Sequence, residues 1–321
     1  MRLLNLLMLC LISFTAVSQC YVSYIPKGMN NLPTVKVYVQ YKNADFYVGY
    51  TISNRFDLSE SAYSNQYGIY DASEFRFDGK QMIKTGKQLL YKMESEFALM
   101  INDRADHTGG VHGDEQYTDL AFYINGKKKQ FSNTENLIPC KEFRYEQHST
   151  LHESPTKINE NLVANPMHPI EALHFKRTVF KSSGYETFNR VVWKKKLSVN
   201  HWFFGICCVH KDNAMLYFNT SDKKRYNAIG NSEFTLKDIV GAKTVLFEND
   251  NTGLSTKVTS RLIIPKNQKN NCKLMIWDRK YDTKYYRGYY PTSDVNVGEI
   301  WEGKMTVKHF RNKLKHTKQN Y

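Results

Sequence analysis

Apolar and polar residues alternate with a period of two along most of the chain, which is the pattern of strands that bury one face. Residues 34–41 and 46–52 show it first, and the polar turn between them predicts a hairpin. Asn125-Gly126 separates residues 121–124 from the next strand. It predicts a second hairpin, because both turn residues tolerate a positive φ.

The same period continues in short aromatic and β-branched segments that end at Gly, Asn, Asp or Lys turns. Strands are predicted at residues 88–101, 140–148, 173–180, 188–193, 202–209, 215–218, 243–247, 256–264, 272–277, 281–290 and 297–310. Residues 53–73 and 149–169 are more polar and are predicted as long connections. Regular short strands of this kind predict an all-β fold, an antiparallel β-sandwich, most simply of jelly-roll type.

The first residues have the composition of a secretory signal peptide. A basic start precedes apolar residues 3–17, and Ala16-Val17-Ser18 has the form of a cleavage site. Residues 1–19 are therefore predicted as the signal peptide and residues 20–321 as a single sandwich domain, with residues 149–169 as its only plausible internal boundary. The protein is predicted to be secreted, periplasmic or at the cell surface, and Cys20 leaves a lipoprotein open. No later segment predicts a transmembrane helix.

Charge adds a prediction about the partner. Lys and Arg outnumber Asp and Glu by 45 to 31, a formal net charge of +14. For an exported chain this favours an anionic partner, above all an acidic polysaccharide, with a membrane or wall surface as the alternative. No nucleic acid is expected as a partner, because the sequence has no reader motif. The five cysteines after residue 19 are odd in number and fit no zinc spacing, so at most one or two disulfides of open pairing are expected.

Residues 102–115 concentrate ionisable groups in one short segment. It contains His107, His112, Arg104, four acids and three glycines between two strand-like stretches. A core strand has no use for so many titratable groups, whereas a loop that lines a cleft does, and glycines let the backbone approach a ligand. The segment is predicted as an active or binding site, with a polar turn as the alternative.

Residues 281–290 form a second unusual segment, rich in tyrosine. In a strand, Lys284, Tyr286, Gly288 and Tyr290 share one face, while Arg287 points to the other. The first face offers a cation, two phenols and a gap at the glycine where a ligand could lie close. A sugar-binding strand is predicted, with plain packing of the tyrosines as the alternative.

Val111-His112-Gly113 and residues 287–290 resemble the two signature strands of the β-jelly-roll polysaccharide lyases, the group of alginate, glucuronan and heparin lyases. In that family a Gln-Ile-His-Gly strand and a Tyr-x-Lys-x-Gly-x-Tyr strand carry the catalytic His and Tyr. The resemblance implies that His112 and Tyr290 are catalytic and that the substrate is a uronate polysaccharide cleaved by β-elimination. The sequence departs from the pattern at Gly110, where the family has Gln, and at Lys284 and Tyr286, where it has Tyr and Lys.

Elimination requires a group that neutralises the uronate carboxylate, a base near the neighbouring carbon and a donor for the leaving oxygen. Arg104 or Asn189 is predicted for the first role, His112 for the second and Tyr290 for the second or third. The predicted catalytic set is thus His112, Tyr290 and Arg104. The predicted substrate-binding set is His107, Asn189, Lys284, Tyr286 and Arg287.

Three alternatives stay open at this point. His107 and His112 with nearby acids supply enough ligands for zinc or manganese, or for a calcium ion that stabilises the loop. No cofactor is required by the elimination chemistry, so a structural calcium is the main metal expectation. A glycoside hydrolase and a non-catalytic carbohydrate-binding or surface protein fit the same composition. The oligomeric state is left open.

Overall fold

The chain folds into an antiparallel β-sandwich, so the predicted all-β class is confirmed. The computed structural model describes residues 20–41, 46–57, 64–91, 97–101, 108–109, 115–152, 157–158, 161–162, 169–182, 184–219, 224–228, 234–235, 243–263, 272–289 and 292–311. Regular structure in these ranges consists of 24 strands and two 3₁₀ helices, Met29–Asn31 and Lys211–Asn213, with no α-helix.

The strands are β1 Cys20–Ile25, β2 Thr34–Gln40, β3 Phe46–Asp57, β4 Ser64–Phe77, β5 Met82–Leu90, β6 Ala98–Ile101, β7 Glu115–Ile124, β8 Lys127–Lys129, β9 Glu135–Cys140, β10 Phe143–His152, β11 Lys157–Ile158, β12 Asn161–Leu162, β13 Ile170–Lys181, β14 Gly184–Trp193, β15 Leu197–His210, β16 Leu216–Asn219, β17 Arg225–Asn227, β18 Phe234–Thr235, β19 Thr244–Asn249, β20 Leu254–Ile263, β21 Cys272–Asp278, β22 Asp282–Tyr289, β23 Ser293–Val295 and β24 Ile300–Arg311.

Two sheets form the layers of the sandwich. Sheet 1 has the order β8-β7-β10-β13-β14-β24-β20-β19-β16-β17. Sheet 2 has the order β9-β1-β2-β3-β4-β5-β15-β22-β21-β18, with β6 and β23 beside the first half of β15. All of these pairings are antiparallel. A short parallel pairing of β4 with β7 joins the two sheets.

The apolar interior is divided into two clusters. The larger one contains valines, tyrosines and cysteines from both sheets, among them Val37, Tyr50 and Val307. The smaller one is rich in aromatic rings and centres on Trp202 and Trp301, whose ring centroids lie 5.2 Å apart. A separate, smaller group of buried apolar residues covers the outer face of sheet 2 around β15 and β22.

Local predictions are confirmed where turn chemistry or alternation is strong. The predicted hairpins are formed by β2 with β3 and by β7 with β8, and Asn125 and Gly126 have φ values of 51° and 79°. The prediction of a loop over residues 53–73 is wrong, because β3 extends to Asp57 and β4 begins at Ser64. These strands pair over their full length, and their polar residues obscured the alternation.

The predicted ligand gap at Gly288 is filled by protein. A Cβ atom at this position would lie 2.1 Å from the carbonyl oxygen of Trp202 and 2.4 Å from the ring of Phe203 on neighbouring β15. Close approach of the two strands therefore accounts for this glycine.

We predict that Gly288→Ala lowers the free energy of unfolding by about 1–3 kcal/mol, because the methyl group would force β15 and β22 apart. Urea unfolding followed by fluorescence measures this. Gly205→Ala is the matched control, since its Cβ would meet only ordinary contacts, at 3.4 Å from Met305 Sδ and 3.6 Å from Arg287 Cβ. Equal losses in both variants would contradict the packing explanation.

Candidate functional site

Three neighbouring strands of sheet 1 reverse the usual polarity of a sandwich. On β10, β13 and β14 the inward positions include polar side chains that are buried. The outward positions of the same strands carry Leu173, Phe175, Val179 and Phe188. The inward set is Gln147, Ser149, His174, Lys176, Thr178, Thr187 and Asn189. This polar band lies within the sandwich, on strands that also supply both apolar clusters.

Glu115, His174 and Asn189 form the centre of this network. His174 Nδ1 lies 2.7 Å from Glu115 Oε1, and His174 Nε2 lies 3.1 Å from Asn189 Oδ1. Because an acceptor faces each ring nitrogen, the arrangement suits an imidazolium that donates to both. All three side chains are at most 2% exposed. An acid, a His and an amide in this order resemble a catalytic triad, but all three side chains are buried on the inner side of the sheet, where they bond to one another.

Gln147 and Lys176 connect the network to sheet 2. At Tyr67, β4 is paired with β3 along one edge. Its pairing with β5 along the other edge does not reach this residue. Gln147 Oε1 accepts from the Tyr67 N–H at 2.7 Å, and Lys176 Nζ donates to the Tyr67 carbonyl and to Gln66 Oε1. Two side chains thus supply the hydrogen bonds that a neighbouring strand would otherwise make.

Electrostatics keep Glu115 ionised despite its burial. Burial would raise the pKa of its carboxyl, but the charges of His174 and Lys176 and hydrogen bonds from His174 and Ser149 hold that pKa at about 2. Gln147 Nε2 also donates to Glu115 Oε1 at 3.2 Å and to Ser149 Oγ at 2.8 Å. The network is therefore a buried ion pair surrounded by hydrogen bonds, which is the condition under which such pairs are tolerated.

The described residues of the 102–115 segment are attached to this network. Glu115 belongs to it, and Thr108 pairs with Leu99 of β6 and donates from Oγ1 to the carbonyl of His152 at 3.3 Å. Gly109 packs on the ring of Phe97, whose centroid lies 4.0 Å from that of His174.

A groove of about 500 Å³ lies on the outer face of sheet 1, over the strands that carry the network. It is lined by Thr118, His148, Ser149, Leu173, His174, Phe175, Arg190 and Val192. Three of the lining residues, His148, Phe175 and Arg190, are direct cross-strand neighbours on β10, β13 and β14. The same register continues outside the groove to Asp119 on β7 and to Glu302 on β24. We call these five residues the cross-strand row.

Two contacts hold side chains of the cross-strand row in place. The ring centroids of His148 and Phe175 lie 4.9 Å apart, and Arg190 Nε lies 3.6 Å from Glu302 Oε1. The Arg190 side chain is 45% exposed. An aromatic ring, an imidazole and a half-exposed guanidinium therefore lie side by side in the groove.

The outer face of sheet 1 is basic around this row. On β7, β10, β13, β14, β24 and β20, eight Lys and Arg face outward against four Asp and Glu among the described residues. The cations are Arg144, Arg177, Lys181, Arg190, Lys257, Arg261, Lys304 and Lys308, and the acids are Asp119, Glu146, Glu186 and Glu302. Ile263, Ile300 and Phe310 on the same face are exposed apolar side chains.

The residues predicted on β22 lie on sheet 2 and divide between its faces. Lys284 and Tyr286 are on the outer face, where Lys284 Nζ lies 5.3 Å from the centroid of the Trp277 ring. Lys284 is only 4% exposed, and burial lowers its pKa to about 7. Arg287 is buried on the inner face beside Gly205. The outer faces of stacked sheets point in opposite directions, so this strand does not contribute to the groove.

None of the three predicted catalytic residues, His112, Tyr290 and Arg104, belongs to the described part of the chain, and neither does His107 of the predicted substrate-binding set. Asn189 is described, and its inward position, bonded to His174, does not favour the predicted contact with substrate. Lys284, Tyr286 and Arg287 are each less than 10% exposed, which likewise does not favour direct binding at a surface.

Sequence reasoning missed His148, Phe175 and Leu173 as groove residues. Their strands were predicted, but alternation assigned the apolar positions to the interior, and here those positions face outward. A signal was present in Gln147, Ser149, His174, Lys176 and Asn189, because polar residues two apart on adjacent predicted strands share one face. The prediction that Asn189 and Arg190 point to opposite faces agrees with their burial and exposure.

Neither a cluster of metal-ligating side chains nor a membrane-spanning helix occurs in the described part of the chain. No three His, Cys, Asp or Glu side chains there come together as a group that could hold a metal ion. The predicted calcium or zinc ligands belong largely to residues 102–115, most of which lie outside the described residues. The predicted metal site therefore stays untested. No helix in the described ranges has the length and apolarity to span a bilayer.

We predict that Glu115→Gln lowers the free energy of unfolding on the order of 3 kcal/mol at pH 7, because it leaves the cations of the network without their buried counter-charge. The pKa of Glu115 is lowered from 4.5 to about 2. The stabilisation is therefore complete above pH 5 and is lost as the pH falls from about 4.5 toward 2. Urea unfolding between pH 2 and 7 should show the wild-type advantage shrinking over that window.

Glu171→Gln is the control for Glu115→Gln. Glu171 is also a buried carboxylate, but Lys195, its partner at 3.3 Å, is 42% exposed. A smaller loss of unfolding free energy is expected for Glu171→Gln. A loss as large as that of Glu115→Gln would show that the network contributes no more to stability than another buried carboxylate does.

Comparisons with known proteins give no family. No family model matches the chain, and no curated protein matches it. Among solved structures, the chain is similar to the Slr1438 protein from Synechocystis sp. PCC 6803 at 10% identity and a TM-score of 0.39, over 86% of this chain and 96% of that one. It is similar to the galactosidase domain of the α-galactosidase-sucrose kinase AgaSK at 7% identity and a TM-score of 0.43, over 85% and 41%. A heparinase III, the BT4657 gene product, matches at 10% identity and a TM-score of 0.33, over 87% and 37%. The chain thus spans less than half the length of the last two.

Proposed function

We propose that the protein binds an acidic, uronate-containing polysaccharide in the groove on the outer face of sheet 1. The observation that supports this most is the cross-strand row, in which the ring of Phe175 lies between His148 and the half-exposed Arg190. Sugar rings present apolar faces that pack on aromatic rings, and uronates add a carboxylate at a regular spacing. In the row, Phe175 offers a stacking surface for the sugar ring, and Arg190 offers a cation for the carboxylate.

Arg190 is the group best suited to a uronate carboxylate. Its closest contact with Glu302 is through Nε, and a guanidinium has five N–H donors in a planar fork. Hydrogen bonds between charged groups contribute about 1.5–3 kcal/mol each. The exposed cations around the groove attract further carboxylates along a chain, so affinity should rise with polymer length and fall with added salt.

We predict that Arg190→Gln weakens binding of alginate or glucuronan about tenfold at low salt, because a charge-assisted hydrogen bond is lost. Titration calorimetry with oligosaccharides of fixed length measures the change. Phe175→Ala should weaken binding as well, by removing the stacking surface, without changing the salt dependence.

Arg225→Gln is the matched control. Arg225 is also an exposed arginine with a glutamate partner, at 3.5 Å from Glu248, but it lies on β17, far along sheet 1 from the cross-strand row. It should bind almost as the wild type does. Equal losses for Arg190→Gln and Arg225→Gln would mean that only net charge matters, and unchanged binding of Arg190→Gln would overturn the groove proposal.

Cleavage of the bound polymer by β-elimination is the second part of the proposal. Glu115, the first residue of β7, lies three residues from Thr118 of the groove and three from His112 in the sequence. This closeness along the chain is what supports a role for His112 at this end of the groove. We assign His112 the role of base and Arg104 that of carboxylate partner. Tyr290 directly follows β22 in the sequence, and β22 is a strand of sheet 2, so no role in the groove is assigned to Tyr290.

We predict that elimination leaves an unsaturated uronate with ultraviolet absorbance, and that His112→Ala abolishes this product while binding persists. The assay tests alginate, glucuronan, ulvan and glycosaminoglycans. New reducing ends without the absorbance would favour hydrolysis. Binding without either product would identify a carbohydrate-binding protein, which leaves the groove proposal intact and overturns the elimination.

A further inference from the structure

Two cysteines face each other directly across neighbouring strands of sheet 2. Cys20 begins β1, Cys140 ends β9, and the two are paired in antiparallel register. Both side chains are buried on the core face, at 0% and 4% exposure, and their thiols hydrogen-bond to one another. Direct partners in an antiparallel ladder have Cα atoms about 4.5–5.5 Å apart, which is within the range that a disulfide spans.

Cys207 and Cys208, the other two buried cysteines of the described structure, do not offer such a pair. Cys207 and Cys208 are consecutive on β15, so their side chains point to opposite faces, Cys207 into the larger core cluster and Cys208 to the outer face. Cys207 hydrogen-bonds with Tyr185, and burial raises the pKa of its thiol to about 12. Such a thiol is a poor nucleophile at neutral pH.

We propose that Cys20 and Cys140 form a disulfide that fastens β9 to β1 in the exported protein. The oxidant is a protein dithiol oxidoreductase in its disulfide form, or oxidised glutathione in vitro. One cysteine thiolate attacks the oxidant disulfide to give a mixed disulfide, and the second thiolate attacks the protein sulfur of that intermediate. The Sγ–Sγ bond forms, two protons are lost, and the oxidant leaves with two electrons as two thiols.

Local chemistry assigns the first attack to Cys140. Its hydrogen bond with Cys20 lowers the pKa of the Cys140 thiol and raises that of Cys20. Cys140 is also the more exposed of the two and lies on the outermost strand of this part of sheet 2. The resulting bond closes a loop from residue 20 to residue 140 and therefore removes many conformations from the unfolded chain.

The disulfide excludes lipidation of Cys20. A lipidated Cys20 would carry its acyl chains on the sulfur that faces the core between β2 and β9. One sulfur cannot hold both a thioether and a disulfide, so the disulfide and the lipoprotein alternative are mutually exclusive.

We predict that the full chain, expressed with its leader in an exporting bacterium, yields a peptide containing Cys20 linked to a peptide containing Cys140. Alkylation in denaturant before reduction, followed by peptide mass mapping, detects the link as a loss of two hydrogens. Reduced protein refolded with a glutathione couple should give the same link. Reduction should lower the melting temperature by several degrees.

Cys140→Ser should abolish the link, and Cys207→Ser should leave it unchanged. The double variant Cys20→Ala with Cys140→Ala keeps two apolar side chains in place, so it tests the effect on melting temperature if the serine variant does not fold. The proposal is overturned if both thiols are alkylated before reduction, if either one is linked to another cysteine, or if Cys20 carries a diacylglyceryl group.

Discussion

The buried ion pair of Glu115 and His174 is the interaction around which this sandwich is organised. A carboxylate in the interior is tolerated only when cations and hydrogen bonds surround it, and His174, Lys176 and Gln147 provide them. Because Gln147 and Lys176 also satisfy the backbone of Tyr67, the network holds sheet 1 against sheet 2 where β4 leaves β5. Hydrogen-bond geometry, which is more directional than apolar contact, thus sets the alignment of the two sheets at this level.

The sequence was informative wherever one physical rule decided the outcome. Asn125-Gly126 identified its hairpin because few residues adopt positive φ, and the alternation of residues 34–52 identified β2 and β3. The sequence was misleading over residues 53–73, because β4 contains Ser64, Asn65 and Gln66, which are polar residues typical of a loop. Pairing with β3 and burial in the sandwich override local propensity there, and no local window contains that information.

The site was harder to predict than the fold. On β13 the order Leu173, His174, Phe175, Lys176 is that of an ordinary strand, and alternation alone gives no reason to turn the polar side inward. The deciding factor is Glu115, which is 59 residues earlier in the sequence and pairs with His174 only after β7, β10 and β13 are assembled. The segment of residues 102–115 was recognised by composition, and its last residue, Glu115, belongs to this network. The tyrosine-rich strand belongs instead to the opposite layer.

The groove and the network occupy the two sides of the same three strands. Leu173 and Phe175 line the outer surface while His174, between them in the chain, is bonded from below to both Glu115 and Asn189. The floor of the groove is therefore preorganised, since its strands are anchored by directional bonds before any ligand arrives. The proposed binding in this groove would cost little conformational entropy, and the shape of the groove would select the ligand as well as its charge.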